Sequence, residues 1–105
     1  MSNEQFRVIA NDAVFIVVRN CDTSDNTKCT YHICLAKLFD DPFKNCAMIK
    51  RLDDPRHICR ALQVINAMKY LIFVPGLLRE IGVPNNVIEE VMREIQLRRS
   101  TCPPQ

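Results

Sequence analysis

The sequence predicts an α+β domain, an N-terminal antiparallel sheet of three or four strands packed against two or three C-terminal helices. Three observations carry this reading. Residues 13–19, Ala-Val-Phe-Ile-Val-Val-Arg, are β-branched or aromatic nearly throughout and apolar on both alternating faces, as in a strand at the centre of a sheet. Ile58, Ala61, Leu62, Ile65 and Met68 recur at helical spacing. Val87, Ile88, Val91, Met92 and Ile95 repeat that stripe nearer the C-terminus.

Before the central strand, Gln5–Ile9 alternates as a short strand, and Asn11-Asp12 marks a turn. After it, Asp22–Lys28 is polar throughout and predicts a loop, and residues 30–38 predict a third strand that closes an antiparallel hairpin. Asp41-Pro42 and Asp54-Pro55 each combine a capping carboxylate with a proline suited to the first helical position, so both read as helix starts. A helix over 42–52 would make the domain mostly helical, with a single hairpin.

The helix from Pro55 has an ambiguous end. Tyr70-Leu71-Ile72-Phe73-Val74 favours strand by residue type but could prolong the helix, and Pro75-Gly76 ends either version. Leu77–Ile81 reads as a short helix closed by Gly82 and Pro84. The last helix begins at Asn85 or Asn86, with Glu89 and Glu90 near its positive end and Arg98 and Arg99 near its negative end. Residues 1–99 form one domain in this reading and 100–105 a flexible tail.

Composition narrows the function classes. A net charge of +2 over 105 residues does not predict a nucleic-acid or anionic-membrane partner. No apolar run approaches the ~20 residues of a membrane span. The six cysteines admit a disulfide framework. However, the N-terminus lacks the apolar segment of a secretory signal, and Cys34 and Cys59 sit inside apolar periodic segments. The expectation is therefore reduced thiols in an intracellular protein, cytoplasmic or nuclear.

No set of residues predicts catalysis, a cofactor or a metal centre. Cys29-x-x-His32-x-Cys34 and His57-x-Cys59 contain zinc-ligand residue types, but not in the spacings of structural zinc sites. Nucleotide loops need glycine for close backbone approach, and the chain has two glycines, Gly76 and Gly82, both beside helix ends. The Asp22–Asp25 stretch lacks the central glycine and the acidic last ligand of a calcium loop. Cys102, fourth from the end, matches a prenylation box poorly because prolines follow it.

What remains is an apolar surplus. Between Ala61 and Val74 a helix would be apolar almost all round, so the segment is either core or a contact surface. The expectation is a non-enzymatic protein-interaction or assembly module, homodimeric or part of a larger complex. Its interface would use Ile65, Met68, Tyr70, Leu71, Ile72 and Phe73. The alternative is a small nucleic-acid-binding domain that uses its sheet, with Tyr31, Arg19, Lys28 and Lys37.

Overall fold

The computed structural model describes residues 4–12, 14–37 and 40–98. Strands β1 (Glu4–Asn11), β2 (Phe15–Asp22), β3 (Asp25–Leu35) and β4 (Cys46–Ile49) form one antiparallel sheet in sequence order. Helices α1 (Pro55–Val64), α2 (Val74–Glu80) and α3 (Asn85–Arg98) follow, with a 3-10 segment, Ala67–Phe73, between the first two. This is the α+β arrangement that the patterning predicts.

The alternation of β2 is its organising feature. Phe15 and Val17 face the helices and are fully buried, with Ile33 and Leu35 from β3 and Ala47 and Ile49 from β4 beside them. Ile58, Leu62, Ile65, Val74, Leu78 and Val91 close the core from the helical side. Ile16, Val18 and Cys34 point the other way and form a separate small cluster to which no helix contributes. The helices thus cover one face of the sheet, and among the described residues no helix covers the second.

The helix boundaries follow from local chemistry. Asp54 is extended and its carboxylate accepts from the Arg56 N–H at 3.0 Å, with Pro55 at the first helical position. Helix α1 is capped at Ile65, and the next residue, Asn66, turns the chain at a φ of 57°, the left-handed conformation that Asn tolerates better than most residues. Helix α2 ends in a Schellman motif: Gly82, at φ 97°, donates to the Arg79 carbonyl at 3.2 Å, and Val83 donates to Leu78 at 2.9 Å. In α3 the Pro84 carbonyl accepts from Val87 and Ile88, so the cap lies one residue before the asparagines.

Asp54→Ala is expected to cost about 1 kcal/mol in denaturant unfolding, the usual worth of an N-cap. Partial burial raises the pKa of Asp54, but its hydrogen bonds to Arg56 and the nearby Arg56 and His57 charges outweigh that, and the net shift is downward. A depressed carboxylate contributes fully above its unfolded value of 3.8 and loses that contribution as pH falls through the folded value. The difference between wild type and Asp54→Ala should therefore shrink below about pH 4.

Three expectations are corrected. The polar stretch 22–28 is mostly strand: β2 runs to Asp22 and β3 starts at Asp25, with Thr23-Ser24 alone at the turn. The Asp22 carboxylate makes that tight turn possible by accepting from the Ser24 N–H at 2.9 Å and its hydroxyl at 2.8 Å. Asp41-Pro42 starts no helix. Asp41 caps a single turn through the Phe43 N–H (3.0 Å), and residues 46–49 then leave as β4.

The third correction concerns the cysteines. Cys21 and Cys29 are directly opposed across β2–β3, and Cys34 and Cys46 across β3–β4, and each pair is a disulfide. Cys59 is disulfide-bonded as well. The expectation of reduced thiols in the cytoplasm or nucleus is overturned, because such bonds persist in oxidising surroundings such as the extracellular space. The physical reason is register: hairpin pairing brings cysteines eight and twelve residues apart to the same rung.

Candidate functional site, the Ala67–Phe73 edge and the open sheet face

The six residues expected at an interface lie on or beside the 3-10 segment, and the fold divides them. Ile65 is fully buried in the core, and its carbonyl accepts from the Asn45 side-chain amide at 2.9 Å. Met68, Tyr70 and Leu71 are half-buried against the core. Ile72 is 83% exposed and Phe73 49%.

The three-residue repeat of the 3-10 segment explains the division. Lys69 and Ile72, three apart, share the outward side, and Met68 and Leu71 share one that packs inward. Tyr70 departs from helical dihedrals at φ −115°, ψ 22°, which kinks the segment before Pro75 enters α2. Ile65, Met68 and Tyr70 also line a depression of about 370 Å³ with Leu35, Asn45, Asn66 and Lys69. The Lys37 ammonium lies 5.6 Å from the centroid of the Tyr70 ring, a cation–π distance.

The second apolar surface is the open face of the sheet, which the sequence reading did not single out. One rung crosses all four strands as Val8, Val18, His32 and Met48. Val8 and Met48 are each 49% exposed, and Phe43, in the turn before β4, is 52% exposed. Val8, Val18, the Cys34–Cys46 disulfide and Phe43 line a groove of about 460 Å³, with Arg7 and His32 as its polar members. The Phe43 carbonyl oxygen lies 3.2 Å from Cys46 Sγ, a contact and not a hydrogen bond, since a disulfide sulfur carries no proton. The alternation of Ile16 and Val18 with Phe15 and Val17 was the available signal, because a strand apolar on both faces leaves one set of side chains for something other than the helix-covered core.

The chemistry available at the cysteines and histidines is narrow. Cys29 and Cys34 are consumed by disulfides, so neither supplies the thiolate a zinc site needs. Among the described residues no cluster of His, Cys, Asp and Glu is arranged to hold a metal, and no cysteine is free. His57 Nε2 lies 3.6 Å from Asp54 Oδ2, at the helix cap and away from the groove-lining side chains. Among the described residues no helix is long and apolar enough to cross a membrane. Cys102 and the segment 100–105 lie outside the described residues.

No protein-family model matches the chain, and no curated protein or solved structure matches it.

Proposed function

We propose that the chain is a non-catalytic assembly module, built for an oxidising compartment, that self-associates through the Ile72–Phe73 edge. The observation that supports this most is the pair itself: two adjacent large apolar side chains, 83% and 49% exposed, at the kinked end of a 3-10 segment. Burying one such side chain stabilises by roughly 1.5–3 kcal/mol. A two-fold contact uses the same patch twice, so a small patch gains disproportionately when the partner is a second copy. The half-buried Met68 and Tyr70 and the depression beside them offer a surface into which a partner's Ile72 or Phe73 could insert.

The nucleic-acid alternative draws less support. Tyr31 packs against the helix-covered core, and Arg19, opposite it on β2, shares that face, so neither lies on the open face of the sheet. Lys37 is engaged with Tyr70.

The test is a pair of variants. Ile72→Glu and Phe73→Glu place a charge at exposed positions, so both should stay folded, with an unchanged far-UV spectrum and Tm within a few degrees. Each should weaken self-association by at least tenfold in sedimentation equilibrium. Unaltered association in both variants would remove this edge from the interface.

A further inference from the structure

We propose that the segment after α3 is strapped to helix α1 by a third disulfide, Cys59–Cys102. This bond is independent of the Ile72–Phe73 edge and of the self-association assigned to it.

The six cysteines leave a single pairing. They stand at positions 21, 29, 34, 46, 59 and 102. Cys21 is bonded to Cys29 and Cys34 to Cys46, so those four sulfurs have no valence for a further partner. Cys59 is also disulfide-bonded. One sulfur within these 105 residues remains for it, that of Cys102. Cys59 is fully buried in the main core. A sulfur without exposed surface cannot be bridged to a second copy unless the core opens, so the bond lies within one chain.

The chain is long enough to make the connection. α1 and α3 pack against each other, and Cys59 and Ile95 belong to the same buried cluster. Helix α3 runs to Arg98, and Cys102 follows four residues later. Four residues reach up to about 14 Å, against the roughly 8–10 Å between the axes of packed helices. The bond closes a loop from residue 59 to residue 102 that contains the 3-10 segment, α2 and α3. It restricts the unfolded form of the whole helical half, as the hairpin bonds restrict the sheet.

Formation is a two-electron oxidation. The two thiols lose two protons and two electrons as the S–S bond forms, and a disulfide oxidant such as oxidised glutathione accepts them and leaves as two thiols. A sulfur held in this bond has no thiol to carry a prenyl group, so the bond gives Cys102 a fate other than lipidation.

Non-reducing tryptic mapping of the intact, oxidised protein tests this, with free thiols first blocked by N-ethylmaleimide in denaturant. Cleavage after Arg56, Arg60 and Arg99 releases the peptide 57–60 and a peptide that begins at Ser100. The expected result is that these two elute as one linked species, separate on reduction, and carry no maleimide on Cys59 or Cys102. A maleimide adduct on either cysteine, a link from either to a different cysteine, or a disulfide-linked dimer on a non-reducing gel would overturn the proposal. A thermal-unfolding cycle gives a second readout. Cys102→Ser should lower Tm by roughly 8–16 °C in the wild-type background, the typical worth of one disulfide, and leave Tm unchanged in a Cys59→Ala background. An equal effect of Cys102→Ser in the two backgrounds would overturn the pairing.

Discussion

Replacing Cys34 and Cys46 together by alanine is expected to lower stability by about 3 kcal/mol and Tm by roughly 12–24 °C. The bond closes a loop of twelve residues, and the chain-entropy relation assigns about 2.8 kcal/mol to a loop of that length. Packing adds to the loss: Cys34 is 1% exposed and forms the small outer cluster with Ile16 and Val18, so alanine there leaves a void. β4 is a four-residue edge strand, and its attachment to β3 depends on few rungs besides this one. The Cys21→Ala/Cys29→Ala pair should cost slightly less, about 2.5 kcal/mol, because its loop is eight residues long and the Asp22–Ser24 turn already holds that hairpin. Urea unfolding of both double variants, without reductant, measures the difference. If the Cys34/Cys46 variant matched wild type, the bond would contribute nothing to the fold. A domain whose total stability is about 5–15 kcal/mol has little margin for losing both bonds.

Ile65→Ala should be the most damaging single substitution within the segment that the sequence marks as an interface, at about 2–5 kcal/mol. Ile65 is wholly buried where α1 gives way to Asn66, and its carbonyl receives the Asn45 amide that ties the β3–β4 connection to the helix end. A cavity at this point loosens both connections. Phe73→Glu, eight positions on, should change stability far less, since about half of that side chain already faces water. The contrast separates two roles that one apolar run conceals. Ile65 should shift the denaturation midpoint and leave any association of the folded protein intact, whereas Phe73 should do the reverse. Equal destabilisation by the two substitutions would mean that Phe73 belongs to the core.

The parts of the fold legible in sequence were those where one signal dominates. Residues 13–19 have no competing reading, and β2 is indeed central. Asp54-Pro55 marks a helix start because the apolar stripe Ile58, Ala61, Leu62 and Ile65 follows it. Asp41-Pro42 carries the same local chemistry, but the residues after it, Cys46, Ala47, Met48 and Ile49, alternate between sheet faces. Local capping then closes one turn and tertiary pairing takes over.

The cysteines were opaque for a different reason. A buried thiol and a disulfide leave the same apolar signature in a single sequence. What distinguishes them here is that Cys21 meets Cys29 and Cys34 meets Cys46, which depends on the register of two hairpins and not on residue type. The polar residues between Asp22 and Lys28 masked the first hairpin, because strand pairing continued through them.

The candidate surfaces show the same limit. An excess of apolar residues between Ala61 and Val74 was visible, but which of them face outward depends on the 3-10 geometry and the kink at Tyr70. The groove on the open face joins residues from all parts of the N-terminal half, Arg7, Val18, His32 and Phe43, and no sequence spacing connects them.

Self-association through Ile72 and Phe73 is tested most directly by the solution mass of the oxidised chain, from size-exclusion chromatography with light scattering in non-reducing buffer. The Ile72→Glu/Phe73→Glu double variant would be run beside wild type at matched concentration. A mass near twice 12.1 kDa for wild type and near 12.1 kDa for a folded double variant is the predicted result. A wild-type chain that stays monomeric at high micromolar concentration, or a double variant that remains dimeric, would contradict it.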